Sequence, residues 1–297
     1  MNYRHQFHAG NFADVMKHAL LVRLGRALQK KATGFLYLDT HAGRGGYDLA
    51  AAVPPRRAQG GEGDARGRVP EHPDGIGRLL GPGELPAAVA DYVALVREFD
   101  RREGGAGDAR RFYPGSPWLV AELARAQDRL ALCEQQPAEC AALRERFQFS
   151  PRTVVQELDG YGALRALLPP PERRALVLID PPFEALDEFA LIVAALAEGL
   201  RRLPGGVFAV WYPLTERARL EEFFFALREL RPPPTLAAEL AIAGERSAIK
   251  LKGCGLVVIN PPWQFDREAA ALLTFLAPTL AQAPGGGGRV DWIVPEK

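Results

Sequence analysis

The tetrapeptide Asp180-Pro181-Pro182-Phe183 directly follows the apolar run 175–179, which predicts a buried strand. Asp180 is an acceptor-only carboxylate, and prolines have a fixed φ and no N–H, so they hold the Pro181 carbonyl outward as a second acceptor. Two such acceptors can hold the hydrogens of an adenine-type amine and leave its nitrogen nucleophilic. A base can stack on the Phe183 ring, which contributes about 1–3 kcal/mol. We therefore predict that Asp180, Pro181 and Phe183 are catalytic; a strand-ending proline turn is the competing interpretation.

A glycine-rich loop, Asp39 to Tyr47, follows a second apolar run at 35–38. Glycines between a strand and a helix are typical of nucleotide-binding α/β folds, and Gly43 is our candidate ligand-binding residue there. A nicotinamide dinucleotide fingerprint fails, because its third glycine would fall on Asp48 and no acidic residue ends a strand about twenty residues further on. A tight turn that requires a positive φ is the alternative interpretation.

Carboxylates follow two further predicted strands. Glu134 ends the run 130–133, and Asp159 lies shortly after the run 153–155. One carboxylate at such a position can accept hydrogen bonds from both ribose hydroxyls, and another can accept from an adenine amine. A solvated acidic turn is the competing interpretation for each of them.

The glycine loop and the Asp-Pro-Pro-Phe loop together suggest a methyltransferase. The second loop resembles the (Asp/Asn/Ser)-Pro-Pro-(Tyr/Phe/Trp) signature of enzymes that use S-adenosyl-L-methionine to methylate exocyclic amino groups on bases. A second match, Asn260-Pro261-Pro262-Trp263, follows the run 255–259. The catalytic loop of that fold follows the fourth strand, which is the one before Asp180, whereas Asn260 follows the sixth or seventh. We therefore predict a structural role for Asn260.

Helical and strand-like segments alternate along the chain. Asn11 is predicted to cap a helix whose apolar positions recur at three- and four-residue spacing as far as Leu28. Later strands are predicted at 207–211, 255–259 and 290–294, the last after a turn-rich stretch that fits an antiparallel return. This alternation predicts an α/β fold, with a mostly parallel sheet covered by helices on both faces.

Residues 54–112 are predicted to form an inserted subdomain within one domain that spans 1–297. Thirteen of the thirty residues at 54–83 are Gly or Pro, a density that predicts a flexible excursion without helix or strand. Helical periodicity returns at 84–102. A further helix is predicted to start at Ser116, as a capping residue, with Pro117 in its first turn.

Composition excludes several classes of protein. The net charge is only +1, and no apolar run approaches the roughly 20 residues of a membrane span. The three cysteines form no CxxC pair, which argues against disulfides, structural zinc and iron–sulfur clusters and fits a reducing cytoplasm. Four of the five histidines lie within the first 41 residues, but acidic or Cys partners at ligand spacing are missing, so we expect no metal. We interpret this amino-terminal segment as facing RNA and cofactor.

The whole chain resembles the bacterial ribosomal RNA large subunit methyltransferase J family, which methylates the N6 of an adenine in 23S ribosomal RNA. The segments that carry the resemblance are Tyr3 to His18, Tyr37 to Gly43, Tyr113 to Pro117, Asp180 to Pro182, Trp211 to Pro213, Val258 to Trp263 and Trp292 to Glu296. The resemblance implies a Rossmann-like class I fold that depends on S-adenosyl-L-methionine and carries a small helical insert. Two departures are Phe183, where the family usually has Tyr, and the Gly/Pro/Arg-rich loop at 54–83.

The resemblance also implies roles for individual residues. Asp180 is the catalytic acceptor, Tyr3 lies against the substrate, and His5 and Lys17 neighbour the RNA. The cofactor site is implied to contain His18, His41, Ser116, Glu134, Asp159 and Gly160, together with Asp180.

The sequence therefore predicts that an adenine extruded from 23S ribosomal RNA stacks on Phe183 while Asp180 and the Pro181 carbonyl hold its N6 for attack on the methyl group. DNA adenine N6 and a protein glutamine amide are alternative acceptors, although no separate target-reading domain is apparent, which favours structured RNA. A nicotinamide oxidoreductase and a non-catalytic RNA-binding module are the rivals from other classes. We expect a cytoplasmic monomer with no membrane contact.

Overall fold

The described residues, 5–52, 70–105 and 111–296 of this computed structural model, form ten strands and eight α-helices. The strands are β1 (Leu36–Asp39), β2 (Gly46–Asp48), β3 (Phe112–Pro114), β4 (Arg129–Cys133), β5 (Thr153–Gln156), β6 (Ala175–Ile179), β7 (Val207–Pro213), β8 (Thr235–Ala241), β9 (Gly253–Ile259) and β10 (Gly287–Val294). The helices are α1 (Phe12–Gln29), α2 (Ala87–Arg102), α3 (Ser116–Leu123), α4 (Pro137–Phe147), α5 (Gly160–Leu167), α6 (Glu188–Arg202), α7 (Arg217–Glu229) and α8 (Phe265–Leu280).

Eight strands form one sheet in the order β10-β8-β9-β7-β6-β1-β4-β5. The chain runs outward from β1 to β4 and β5, returns to β6 on the other side of β1, and continues to β7, with all of these neighbours parallel. Strand β9 is antiparallel to β7 and β8, and β10 is antiparallel to β8. The strand order thus reverses between β1 and β6, which is where open α/β sheets bind their ligands, beyond the carboxyl ends of the strands.

Both faces of the sheet are covered. In β6, Leu176 and Leu178 pack into the core formed with α1, α3 and α8, while Val177 and Ile179 pack into the core formed with α5, α6 and α7. A strand buried on both faces has no polar position, which explains its continuous apolar sequence. The predicted α/β fold with helices on both faces is confirmed.

All seven predicted strands are present, but sequence reasoning missed the short pair β2 and β3 and also β8. The sequence of β8, TLAAELA, is rich in residues that favour helices, and it is a strand because β9 and β10 pair with it on either side. Its Glu239 is 4% exposed and accepts a hydrogen bond from the Tyr212 hydroxyl at 2.7 Å.

The insert contains the predicted helix, α2, whose buried residues Val93 and Val96 belong to the same core as α1. The expectation that 54–83 has no helix was wrong for its described part, 70–83, which contains short 3₁₀ helices at His72–Asp74 and Ile76–Leu79. Gly75 makes this packing possible, because a Cβ there would lie 2.1 Å from the Gly10 carbonyl oxygen. Residues 53–69 lie outside the described residues.

The Asn260-Pro261-Pro262-Trp263 segment lies at the opposite edge of the sheet from Asp180. Because β9 is antiparallel to β7, Ile259 pairs with Phe208 near the start of β7. The Asn260 amide donates to the carbonyls of Pro204 and Gly206, each at 2.8 Å, and its φ is 53°. The predicted structural role of Asn260 is confirmed.

Replacing Asn260 by Ala should destabilise the fold without affecting chemistry. The variant loses two hydrogen bonds and places Ala in a left-handed conformation, so we expect the free energy of unfolding to fall by about 1–3 kcal/mol. Urea unfolding measures this change. Asn260→Gly, which adopts φ 53° readily, should be less destabilised. An Asn260→Ala protein that unfolds like wild type but loses its biochemical activity would contradict the structural role.

Candidate active site

Asp180 lies at the carboxyl end of β6, where it meets helix α1. Its Oδ2 atom is 2.5 Å from Nζ of Lys17, and the same ammonium is 2.9 Å from Oδ1 of Asp14. The other Asp14 oxygen accepts from the Gly10 N–H at 2.9 Å. In the part of the chain that the structure describes, Oδ1 of Asp180 has no hydrogen-bond partner. Asp180 therefore has one oxygen held by the protein and one available to a ligand.

Lys17 is a buried cation, with 5% of its surface exposed. Burial alone would lower the pKa of Lys17, but Asp14 and Asp180 outweigh burial and raise the pKa well above its usual value. The ammonium therefore stays charged and donates hydrogen bonds to both carboxylates. Sequence reasoning placed Lys17 beside RNA and did not foresee this contact. The available signal was the one-turn spacing of Asp14 and Lys17 on a helix that also carries His18.

Phe183 adopts a left-handed backbone conformation with φ of 51°, which is unusual for a bulky residue. Its half-buried ring packs edge-on against Phe189 at 5.2 Å and against Trp211 at 5.6 Å between ring centroids. Strain of this kind persists where the surroundings fix it and is common at functional sites. The loop therefore holds an aromatic ring in one orientation, three residues from Asp180.

Asp39 ends β1 next to the loop that carries Asp180 and is fully buried. Its Oδ2 atom accepts from the hydroxyls of Tyr37 and Ser116, both at 2.7 Å. Burial raises the pKa of Asp39 to about 6, and these two hydrogen bonds limit the rise. Sequence reasoning did not assign Asp39 a role. An acidic residue between an apolar strand and a glycine loop was the signal.

Ser116 does not cap α3, contrary to the sequence-based expectation. Gly115 occupies the cap position without a side-chain bond, and Ser116 is the first residue of the helix. Its hydroxyl donates to Asp39 instead, so its lone pairs are left to accept from a ligand.

His41 follows β1 in the glycine loop. Its Nδ1 lies 2.8 Å from the Thr40 hydroxyl, and its ring meets Tyr161 edge-on at 5.2 Å. Burial lowers the pKa of His41 to about 4, even though Asp180 and Asp159 act in the opposite direction. The imidazole is therefore neutral at physiological pH.

Glu134 directly follows β4 and holds the glycine loop. Its two oxygens accept from the Gly43 N–H at 2.8 Å and from the Gln136 N–H at 2.7 Å. Gly43 has φ of +60°, and a Cβ there would lie 2.6 Å from the Tyr47 hydroxyl oxygen, so this position strongly favours glycine. Burial raises the pKa of Glu134. Each carboxylate oxygen retains a lone pair for a further donor.

Asp159 and Gly160 join β5 to helix α5. Asp159 is exposed and caps this helix by accepting from the Gly162 N–H at 2.9 Å and the Tyr161 N–H at 3.4 Å. A Cβ at Gly160 would lie 2.1 Å from the Thr40 carbonyl oxygen, so the two loops pack in direct backbone contact. Asp159 is thus brought beside the β1 loop.

His18 is buried in α1, one residue from Lys17. Its Nδ1 lies 2.8 Å from the Tyr113 hydroxyl, and the two rings stack with centroids 5.7 Å apart. Of the other predicted amino-terminal residues, His5 begins a short 3₁₀ helix, His5–Phe7, and Tyr3 lies outside the described residues.

The loops after β1, β4, β5 and β6 thus gather mainly hydrogen-bond acceptors at one edge of the sheet. S-Adenosylmethionine presents ribose hydroxyls, an adenine amine and an ammonium group as donors, and it carries a net positive charge. Glu134, Asp159, Ser116 and the free oxygen of Asp180 fit those donors. No cluster of three or more His, Cys, Asp or Glu suited to a metal occurs in the described ranges. No helix within those ranges is long and apolar enough to span a bilayer.

The strand order is that of the Rossmann-like fold of class I S-adenosylmethionine-dependent methyltransferases. The family described as "Ribosomal RNA large subunit methyltransferase D, RlmJ" matches residues 32–294. The chain belongs to this family and is an enzyme of the methyltransferase class.

Relatives cover the full length of the chain. It is 38% identical to the ribosomal RNA large subunit methyltransferase J of Haemophilus influenzae and 37% identical to that of Escherichia coli, over 100% of both chains in each case. A crystal structure of a Legionella pneumophila protein is 33% identical and superimposes with a TM-score of 0.82, covering 96% of this chain and 98% of that one. The similarity therefore includes the insert as well as the central sheet.

Asp39 should make stability depend on pH. Its pKa is raised from 3.8 to about 6 in the folded state, so between those values the folded chain binds more protons than the unfolded chain and stability falls as pH rises. The shift corresponds to roughly 3 kcal/mol. The unfolding free energy of wild type minus that of Asp39→Asn, measured in urea from pH 4 to pH 7, should fall up to about pH 6 and then level off. The lowered pKa of His41 should make stability rise with pH, and this contribution is common to both proteins, so it cancels in the difference. Parallel curves for the two proteins would contradict the assignment.

Proposed function

We propose that this protein transfers a methyl group from S-adenosylmethionine to the N6 of an adenine in 23S ribosomal RNA, producing N6-methyladenine and S-adenosylhomocysteine. Membership of the RlmJ family and the names of the full-length relatives support the ribosomal RNA substrate. The acceptor geometry at Asp180 supports an exocyclic amine as the methylated group.

The observation that carries this proposal is that the two Asp180 oxygens differ: Lys17 binds Oδ2, whereas Oδ1 is available to a substrate. Lys17 occupies Oδ2, so the carboxylate cannot rotate freely, and Oδ1 remains as an oriented acceptor. The Pro181 carbonyl is the second acceptor on a loop that cannot compete for hydrogen bonds. An amine held by both acceptors keeps its lone pair available, and holding it in line with the methyl group supplies much of the acceleration.

The cofactor site comprises His18, His41, Gly43, Ser116, Glu134, Asp159, Gly160 and Asp180. When bound, S-adenosylmethionine supplies an electrophilic methyl group on a sulfonium sulfur. Glu134 accepts from the ribose hydroxyls with the lone pairs that Gly43 and Gln136 leave unused. Asp159 accepts from the adenine amine while it caps α5.

The substrate site comprises Asp180, Pro181 and Phe183, and the family resemblance assigns RNA contacts to Tyr3 and His5. Phe183 stacks on the extruded base, and Phe189 and Trp211 keep its ring in place. Lys17 acts on the substrate indirectly, by holding one oxygen of Asp180. As the new N–C bond forms, positive charge develops on N6 and faces the Asp180 carboxylate.

Asp180→Ala should remove most methyl transfer. A hydrogen bond to a charged acceptor contributes about 1.5–3 kcal/mol, so kcat/KM should fall by roughly 10- to 150-fold or more. Transfer of labelled methyl to unmodified 23S ribosomal RNA, followed by nucleoside analysis, measures both the rate and the product. Asn260→Ala is the matched control, because it alters the same sequence pattern at the other edge of the sheet. Circular dichroism verifies that each variant is folded.

The same assay tests the rival substrates. N6-methyladenine formed by wild type and by Asn260→Ala but not by Asp180→Ala supports the proposal. Near-normal turnover by Asp180→Ala would exclude Asp180 as the acceptor. Labelling of DNA or of a glutamine-containing protein, with none of RNA, would replace the proposed substrate. If no acceptor is methylated, the proposed reaction is wrong and the non-catalytic RNA-binding module is the remaining interpretation.

Phe183→Leu should weaken catalysis through lost base stacking, which contributes about 1–3 kcal/mol. We expect kcat/KM for the RNA to fall by roughly 5- to 150-fold, with S-adenosylmethionine binding unchanged. Phe183→Tyr keeps the ring and should retain activity close to wild type. Steady-state kinetics with the RNA varied, together with calorimetric cofactor titration, distinguish these effects. Equal activity of the Leu and Tyr variants would exclude a stacking role.

A further inference from the structure

The loop between β8 and β9, residues 242–252, lies at the same edge of the sheet as Asp180. Strands β7 and β8 are both antiparallel to β9 and therefore run in the same direction, and β7 is parallel to β6. The carboxyl end of β8 is thus at the edge where β6 ends in Asp180. The β8–β9 loop consequently belongs to the side of the molecule that carries the candidate active site.

Contacts with α1 place this loop near Lys17. Cys254, two residues after the loop, is buried with its Sγ atom 3.9 Å from Sδ of Met16, the residue before Lys17. Within the loop, Ile249 and Leu251 pack against the hydrophobic core to which α1 contributes. The apolar side chains therefore hold the loop beside the helix that carries the Lys17 ammonium.

Hydrogen bonds give the β8–β9 loop a defined shape. The Ile242 N–H donates to the Lys252 carbonyl at 2.8 Å, and the Gly244 N–H donates to the Pro284 carbonyl at 3.0 Å. The Lys252 ammonium donates to the Glu245 carbonyl across the loop. The remaining side chains of the loop are therefore presented from a fixed backbone.

The loop carries more positive charge than the chain as a whole. Three of its residues are basic and one is acidic, which gives a net charge of +2, against +1 for the full sequence. Arg246 and Lys250 are exposed, and within the described ranges their side chains have no hydrogen-bond or ion-pair partner. By contrast, Arg217 on the neighbouring helix α7 pairs with Glu221 at 2.8 Å. Two cations of the loop are thus available to an anionic partner.

We propose that Arg246 and Lys250 form a phosphate-binding surface for the RNA that carries the target adenine. This statement rests on the proposed function. Contacts of Lys and Arg with phosphates supply affinity that does not depend on sequence and fix the position of a nucleic acid on its protein. The candidate active site itself is rich in carboxylates, which repel a phosphate backbone. A separate basic surface beside the site supplies the attraction that the site lacks.

Neutralising both cations tests the surface. Arg246→Gln/Lys250→Gln should raise the Kd and KM for unmodified 23S ribosomal RNA, with kcat at saturating RNA and the Kd for S-adenosylmethionine near wild type. Both side chains are exposed, so the melting temperature should also stay near wild type. Filter binding of RNA, labelled-methyl kinetics and calorimetric cofactor titration measure these quantities.

Salt dependence gives a readout that a structural effect would not produce. Each lost phosphate contact makes the dependence of log Kd on log salt concentration shallower by about 0.7–0.9. The double variant should therefore have a slope shallower by about 1.4–1.8, and its loss of RNA affinity should be roughly tenfold greater at 50 mM salt than at 200 mM.

Lys31→Gln/Arg173→Gln is the matched control. These two residues are exposed, and their side chains have no hydrogen-bond or ion-pair partner in the part of the chain that the structure describes. They precede β1 and β6 and so lie at the opposite edge of the sheet. The control removes the same two kinds of charge and should keep the wild-type Kd and salt slope.

The outcomes separate this proposal from the proposed function. Equal weakening of RNA binding in the two double variants would mean that net charge matters rather than this surface, and would overturn the proposal. A wild-type salt slope in Arg246→Gln/Lys250→Gln would overturn it as well. If wild type methylates RNA and the loop variant behaves like wild type, the proposed function stands and the phosphate-binding surface is excluded. If wild type neither binds nor methylates RNA, both fail.

Discussion

The buried ion pair between Lys17 and Asp180 is the interaction on which the site depends. Removing one partner of such a pair costs about 3–5 kcal/mol, because the other charge is left unpaired in the interior. The pair joins α1 to the loop after β6, two segments that are 163 positions apart in sequence. The place of Lys17 depends on the start of α1, where Asn11 accepts from the Asp14 N–H and Gly10 donates to the Asp14 carboxylate. A helix cap thereby sets the orientation of the Asp180 oxygen that is left for a substrate.

Helix α2 of the predicted insert stabilises the segments on which the candidate site is built. Asp100, fully buried near the end of α2, accepts from the backbone N–H groups of Arg111 and Phe112, each at 2.9 Å, and so fixes the chain where it returns to β3. Phe99 packs edge-on against Trp118 of α3 at 4.9 Å. The segments held in this way are those that carry Tyr113 and Ser116. The insert is therefore part of the scaffold of the site, which agrees with the core it shares with α1.

Sequence patterns predicted the features that depend on local order. The strand before Asp180 was recognisable because both of its faces are covered. Strand counting separated Asp180 from Asn260, and the structure adds that β9, the strand before Asn260, runs in the opposite direction to β7. Strand β8 was missed because pairing with its neighbours overrides its helix-favouring composition. Ser116 was misread as a cap because its partner, Asp39, is distant in sequence and reaches it only in the folded chain. Long-range polar contacts of this kind leave no periodic signal in a sequence.

The electrostatics of the site favour a cationic ligand. The carboxylates of Asp39, Glu134, Asp159 and Asp180 lie at or just after the carboxyl ends of neighbouring strands, while the Lys17 ammonium contacts Asp180 and Asp14. His41 adds no charge because burial lowers its pKa to about 4. Burial also raises the pKa of Asp39 and Glu134, which shows that their ionised forms lack full compensation from the protein. A bound cation would supply that compensation. On the proposed function, methyl transfer removes the positive charge from the bound sulfur, so the electrostatic attraction is weaker for the product than for the cofactor. The sulfonium charge that favours cofactor binding is thus lost in the reaction. This loss favours release of S-adenosylhomocysteine.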